Sequence, residues 1–298
     1  MTYAEIYAVG VNRLEQVPIA EAKLDARLLL EVVCHTTRQD LLAHGDREVS
    51  EQEQKAYLDN IEKRAAHIPL QHITGTQDFM GLEFLVNEHV LVPRQDTEVL
   101  VEEVMRFLHD GMRILDMCTG SGCILLSLLH YSNDCTGVGV DISGEALEVA
   151  EKNAEKLGLG CTLGEHQAAA NESNLETGKC AEFVESDLFS RVTGSFDIIV
   201  SNPPYIRTDI IPTLMEEVKE HEPIGALDGG DDGLFFYRRI IEEAPAHLNG
   251  GGQLFFEIGY DQADAVMILL ASAGFQDIAL VQDFAGNDRV VYGTWYKR

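Results

Sequence analysis

Ile114-Leu115-Asp116-Met117-Cys118-Thr119-Gly120-Ser121-Gly122 reads as a short apolar strand that runs into a glycine-bearing turn and opens a helix. Glycine at 120 and 122 lets the backbone approach a ligand closely at the carboxyl edge of a sheet, where open α/β sheets bind their ligands. A dinucleotide fingerprint, G-x-G-x-x-G, would require a third glycine where Leu125 stands, which disfavours a nicotinamide or flavin site.

From this turn outward the chain alternates strand and helix. Strands are expected over 113–117, 136–141, 181–186, 196–201, 253–258, 278–282 and 289–294, with helices over 122–130, 144–157, 234–248 and 262–273. That alternation predicts an α/β fold with a seven-stranded, mostly parallel sheet covered on both faces. The polar stretch 161–179 has no useful periodicity and reads as a surface insertion.

Upstream, the first 68 residues read as helices only. Thr2 can cap a helix over 3–15, and Leu24, Leu28, Leu29 and Val32 mark the apolar face of one over 21–35. A short helix covers 39–43, and Ser50 with Glu53 forms a capping box that opens another, running to about 67. Two strand-like runs joined through Met80-Gly81 predict a hairpin, and Asp96 or Thr97 is the expected cap of a helix through His109. The domain reading is therefore a helical domain over 1–75, a hairpin linker over 76–92 and an α/β domain over 93–298.

Bulk composition narrows the function. Fifty acidic against 22 basic residues give a formal charge of −28, which argues against direct nucleic-acid binding, where basic side chains must neutralise phosphates. The opening residues are interrupted by Glu5, Arg13 and Glu15, unlike a signal peptide, and no apolar run reaches membrane-span length. The six cysteines form no CxxC pair, so neither structural zinc nor a disulfide framework is expected, and no metal. A cytoplasmic, monomeric protein is the corresponding expectation.

Three further signals sit at strand ends. Asp141 closes Val138-Gly139-Val140-Asp141, where a carboxylate can accept hydrogen bonds from both ribose hydroxyls of an adenosyl group; Ser143 is available to cap the following helix instead. In Glu185-Ser186-Asp187-Leu188-Phe189 a polar side chain can meet an adenine edge and an apolar one its face. The strongest motif is Asn202-Pro203-Pro204-Tyr205, following the apolar strand 196–200. Adjacent prolines fix φ, hold the preceding residues extended and remove two donors. The Asn202 side-chain oxygen and the Pro203 carbonyl then form a pair of acceptors for the two hydrogens of an NH2 group. An amide or aromatic amine is planar and a poor nucleophile, because its lone pair is shared with a π system. Two acceptors favour its pyramidal form, aim the lone pair and stabilise developing charge, which suits methyl transfer from a sulfonium; Tyr205 can wall the planar group.

With these residues assembled, the chain resembles the HemK/PrmC family of glutamine methyltransferases, which modify the Gly-Gly-Gln motif of peptide chain release factors. The resemblance also rests on Pro69-Leu70-Gln71-His72-Ile73-Thr74-Gly75, Val92-Pro93-Arg94-Gln95-Asp96-Thr97-Glu98 and Ala285-Gly286-Asn287-Asp288-Arg289. It implies a Rossmann-like class I methyltransferase domain, a small all-α N-terminal domain that docks the protein substrate with the hairpin, S-adenosylmethionine as cofactor with S-adenosylhomocysteine as product, and release factors as partners. By the same resemblance Cys118, Thr119, Gly120, Ser121 and Gly122 form the methionine-side loop, Asp141 is the ribose acceptor, and Asp187 and Leu188 adjoin the adenine. Asn202 contacts both cofactor and substrate, while Pro203, Pro204, Tyr205 and Arg94 line the substrate side. The family often carries a larger residue at Leu188 and proline at Gln95. Glutamine methylation of a ribosomal protein, adenine methylation and a non-catalytic cofactor-binding module are the competing readings; the N-terminal match, the acidic charge and the intact Asn-Pro-Pro-Tyr weigh against them in turn.

Overall fold

Ile114 and Leu115 are both fully buried, yet they belong to different apolar clusters. A strand sends successive side chains to opposite faces, so this strand must be covered on both sides. The computed structural model describes residues 1–163 and 179–297. It divides into two units, Met1–Thr76 with Met215–His221, and Gln77–Leu214 with Glu222–Arg298.

The second unit begins with a hairpin, β1 (Thr76–Phe79) and β2 (Leu82–Leu85), turned at Met80 and Gly81, both with positive φ. The described sheet strands are β3 (Arg113–Met117), β4 (Thr136–Asp141), β5 (Cys161–Leu163), β6 (Cys180–Glu185), β7 (Phe196–Ser201), β8 (Leu248–Glu257), β9 (Gln276–Gln282) and β10 (Asp288–Trp295). Their order is β5-β6-β4-β3-β7-β8-β10-β9, parallel throughout except that β10 runs antiparallel to β8 and β9. Helices Gln95–Met105, Cys123–Tyr131 and Gly144–Lys156 cover one face, and Phe235–His247 and Ala263–Ala273 the other. Each large apolar side chain so buried contributes about 1.5–3 kcal/mol. In β4 the glycines alternate with valines: a Cβ at Gly137 would lie 2.3 Å from Leu125 Cδ1, and one at Gly139 would lie 2.7 Å from the Phe183 ring. These glycines let the helix after β3 and the neighbouring strand close on β4.

The seven expected strands are present, and β5 adds an edge strand inside the stretch read as an insertion. Three residues without alternation give no pattern to read. The rest of that insertion, 164–178, lies outside the described residues. The helix expected to be capped by Asp96 or Thr97 starts earlier, at Gln95, with Arg94 as N-cap, and ends at Met105. Neither side chain caps because both are used elsewhere: Asp96 lies 3.3 Å from Arg289, and Thr97 receives a hydrogen bond from Asn202.

The first unit holds helices Tyr3–Leu14, Ala22–Cys34, Arg38–Ala43, Glu51–Ala65 and Leu70–Thr74. Thr2 and Ser50 form the two capping boxes. Ile6, Leu14, Leu29, Leu30, Tyr57 and Ile61 fill its centre. The buried face of the second helix differs from the one expected: Leu24 and Val32 are exposed, whereas Ala22, Asp25, Ala26, Leu29 and Leu30 are buried. The small alanines allow close helix approach, and Asp25 faces inward because Arg64 meets it at 2.7 Å. Arg64 also pairs with Glu217, and His221 with the Ala66 carbonyl, which fastens Met215–His221 to the end of the fourth helix. No helix among the described residues is long and apolar enough to cross a membrane.

Candidate active site

Met117 is in register with Val140 on one side and Ser201 on the other, so β3, β4 and β7 end level. Their next residues, Cys118, Asp141 and Asn202, therefore emerge at one edge. The chain runs from β3 outward through β4 and β6 and then returns to β7 on the far side of β3, making this edge the topological switch point. All three residues line a single cavity of about 340 Å³.

The loop after β3 is held at every step. Cys118, Gly120 and Gly122 all have positive φ, at 63°, 55° and 79°. The left-handed conformation costs a residue with a Cβ about 1–2 kcal/mol, so Cys118 is held there by its neighbours. Thr119 donates its hydroxyl to Asp116 at 2.6 Å and its N–H to the Val140 carbonyl at 2.9 Å. Gly120 N–H donates to Asp141 Oδ2, and Asn153 donates to the Ser121 carbonyl, both at 2.9 Å. Asp116 is fully buried, and burial pushes its carboxyl up to about 7, with Thr119 and the Leu125 N–H opposing.

Ser143 does cap the next helix, accepting from the Ala146 N–H at 3.1 Å, which leaves Asp141 free for the cavity. Each Asp141 oxygen accepts one backbone N–H, from Gly120 and Ser143, and retains a lone pair. Burial raises this carboxyl above its ordinary range, against those N–H donors. Leu188 also lines the cavity, in a left-handed conformation (φ 48°) fixed by Ser186, whose hydroxyl donates to its carbonyl at 2.8 Å. Asp187 lies beside it and is paired with Arg239 at 2.9 Å.

At the end of β7, Ser201 donates to the Met117 carbonyl at 2.6 Å. Asn202 donates its Nδ2 to Thr97 Oγ1 at 3.4 Å, which leaves its Oδ1 as the acceptor on the cavity side. Pro204 lines the cavity too. Pro203 is buried in the corner, and neither it nor Tyr205 is among the described lining residues. Tyr205 instead points its hydroxyl at Glu257 Oε1, 3.3 Å away, and its carbonyl accepts from Gln262 at 3.0 Å. The loop 229–233 packs directly on this turn: a Cβ at Gly233 would lie 2.5 Å from the Tyr205 carbonyl oxygen. Arg94 lines the cavity and donates to both carboxylate oxygens of Glu222.

Several lining residues were not read from the sequence. Ile142, one position past Asp141 and 71% exposed, forms an apolar wall. Pro223, Gly225 and Ala226 come from a segment without periodicity, Phe236 comes from the expected helix over 234–248, and Ile142 had a local signal in its place beside the strand-end acid. Thr97 also lines the cavity and Glu257 lies behind it; the roles of both depend on partners distant in sequence. No cluster of metal-ligating side chains occurs among the described residues.

The PrmC N-terminal domain family matches residues 5–75, and a methyltransferase domain family matches 108–228. A solved methyltransferase from Pyrococcus furiosus has a TM-score of 0.51 at 17% identity, covering 83% of this chain and 100% of that one, a likeness of fold alone. The release factor glutamine methyltransferase of Agrobacterium fabrum is 41% identical over 294 residues, covering 97% of this chain and 95% of that protein. That of Caulobacter vibrioides is 40% identical over 296 residues, covering 99% and 96%. An α/β methyltransferase domain, an N-terminal match and this identity over nearly the whole of both proteins agree: the chain belongs to the release factor glutamine methyltransferase family.

Proposed function

We propose that this protein transfers a methyl group from S-adenosylmethionine to the side-chain amide nitrogen of the glutamine in the Gly-Gly-Gln motif of peptide chain release factors, with S-adenosylhomocysteine as product. The observation that carries the reading is that Asp141 and Asn202 border the same cavity. The residues present fit the cofactor. Asp141 has a free lone pair on each oxygen for the ribose hydroxyls, Ile142 and Leu188 offer apolar surfaces to a flat ring, and Cys118–Gly122 brings backbone to the cavity edge. The family membership supports the glutamine substrate, and the −28 charge weighs against adenine in nucleic acid.

S-adenosylmethionine supplies an electrophilic methyl group on a positively charged sulfur. Asn202 Oδ1 and the Pro203 carbonyl accept the two hydrogens of the substrate amide, which draws its nitrogen toward a pyramidal shape and turns the lone pair toward the cavity. The stiff Pro203-Pro204 corner, tied by Ser201 to β3, holds these acceptors in place without reorganisation. Tyr205 anchors the turn through Glu257, in place of walling the amide. The methylated nitrogen sheds its proton readily, so no strong base is needed. Arg94 and Glu222 shape the substrate side, and recognition of the protein substrate is assigned to the helical unit that the PrmC N-terminal family matches.

Incubating the protein with methyl-labelled cofactor and either a purified release factor, the same factor with the motif glutamine replaced, or adenine-rich DNA tests this. Label is expected in the intact factor alone. Label in the DNA, or equal label in the glutamine-replaced factor, would overturn the reading.

A further inference from the structure

An asparagine amide has two faces that differ in kind, an oxygen that accepts and a nitrogen that donates, and only one presentation is useful for gripping another NH2 group. In the reverse orientation Asn202 would oppose two donors to the two hydrogens of the substrate amide. What decides the orientation lies on two other elements, one at the cavity wall and one behind it. Thr97, 3% exposed in the first turn of helix Gln95–Met105, places Oγ1 3.4 Å from Asn202 Nδ2. At the last position of β8, Glu257 is 2% exposed; its Oε1 accepts from the Tyr205 hydroxyl at 3.3 Å, and its buried Oε2 has no hydrogen-bond partner. Burial pushes the Glu257 carboxyl above its ordinary range, and the nearby Thr97 hydroxyl and Arg289 oppose that rise.

We propose that Thr97 and Glu257 act as positioning residues that set which face of the Asn202 amide meets the substrate. A threonine hydroxyl has one proton and two lone pairs. The Tyr205 hydroxyl satisfies Glu257 Oε1, so the buried and partnerless Oε2 is the acceptor that draws the proton of the neighbouring Thr97 hydroxyl. The lone pairs left on Thr97 can then receive only a donor, which is the Asn202 nitrogen, and Oδ1 is turned to the cavity. The arrangement builds the amide orientation into the resting enzyme. This inference rests on the methyl-transfer reading above for its consequence, although the orientation itself exists without substrate.

Thr97→Val keeps the shape and removes both the proton and the lone pairs, whereas Thr97→Ser keeps them. On a release-factor substrate, Thr97→Val should lower kcat roughly tenfold to a hundredfold with KM and S-adenosylhomocysteine binding little changed, and Thr97→Ser should recover most of the loss. Equal kcat for Thr97→Val and wild type, or a Ser variant as slow as the Val variant, would overturn the proposal. Nuclear magnetic resonance of the Asn202 side-chain amide in the wild-type complex with S-adenosylhomocysteine provides a reading that needs neither substrate nor variant. One Nδ2 proton should exchange slowly and show proximity to the Thr97 methyl group; two freely exchanging protons would sink the proposal. A wild type that labels no release factor would instead overturn the functional reading and leave the amide measurement standing.

Discussion

Arg94 donates through one nitrogen, Nη2, to both carboxylate oxygens of Glu222, at 2.7 and 2.8 Å, although the residues are 128 positions apart. The Glu222 side chain is 1% exposed and that of Arg94 45%. The pair ties the start of helix Gln95–Met105 to the segment that supplies Pro223, Gly225 and Ala226 to the cavity wall.

Arg94→Ala leaves a buried carboxylate without its guanidinium. Because Arg94 is half exposed, the expected loss is about 1–3 kcal/mol, below that of a fully buried pair. Chemical denaturation should register it, and calorimetry should show weaker S-adenosylhomocysteine binding as the 223–226 wall loosens. The double variant Arg94→Ala/Glu222→Gln should recover part of the stability. If it is as unstable as the sum of its parts, the two residues do not act as a pair.

Much of this was legible because it depends on residues adjacent in sequence. The strand residues around Asp116, the glycines at 120 and 122, the strand-end Asp141 and the Asn-Pro-Pro-Tyr turn each state their own conformation through periodicity, glycine or proline. What lies behind them does not. Thr97 reads as a helix cap until its partner, Asn202, 105 positions away, is brought to it. Glu257 reads as an ordinary acid closing a strand until burial between Tyr205 and Thr97 removes it from water. The turn Leu188–Arg191 is too short to set up a period, and the buried face of Ala22–Cys34 was misassigned because several helical stripes fit its leucines equally well.

Asp116 makes stability depend on pH in a direction opposite to that of an ion-paired acid. Its folded value is raised to about 7 against the ordinary 3.8, so the folded state holds the proton over the range between them. Its contribution is fully present below about pH 4 and is lost as pH rises through about 7; the upper bound on the effect is roughly 4 kcal/mol. Asp116→Asn cannot ionise, so its stability relative to wild type should improve steadily from pH 4 to pH 8. Parallel melting curves across that range would show that Asp116 does not titrate there.

Gly139→Ala tests the packing beneath the cofactor loop. Its Cβ would lie 2.7 Å from the Phe183 ring and 3.0 Å from Thr119 Oγ1, and a buried ring cannot simply swing aside. Overpacking of this kind costs about 1–3 kcal/mol. The displacement of Thr119 should also weaken cofactor binding, so a variant of unchanged stability and affinity would mean that β4 has room to spare.

Asp141→Ala removes both the proposed ribose acceptor and the partner of the Gly120 and Ser143 N–H groups. Binding of S-adenosylhomocysteine should weaken by about 1.5–3 kcal/mol, the range for hydrogen bonds to a charged group. In the wild type, affinity should fall as pH drops toward the Asp141 titration, which burial has moved above the ordinary carboxylate range. An unchanged dissociation constant in the variant would retire the assignment.

Asn202→Ala and Asn202→Asp together separate the acceptor from its orientation. Alanine deletes the oxygen that faces the cavity, and kcat should fall roughly a hundredfold to a thousandfold, the scale for losing one preorganised polar contact in a transition state. Aspartate retains an oxygen there but gives Thr97 Oγ1 an acceptor where the Nδ2 donor had been, so the hydroxyl must choose between Glu257 and the new carboxylate. Its kcat should also fall, while both variants bind S-adenosylhomocysteine nearly as the wild type does, because Asp141 and the 118–122 loop are untouched. Should single-turnover assays show Asn202→Asp transferring the methyl group at the wild-type rate, an oxygen at that corner would suffice and the donor to Thr97 would have no part in aiming it.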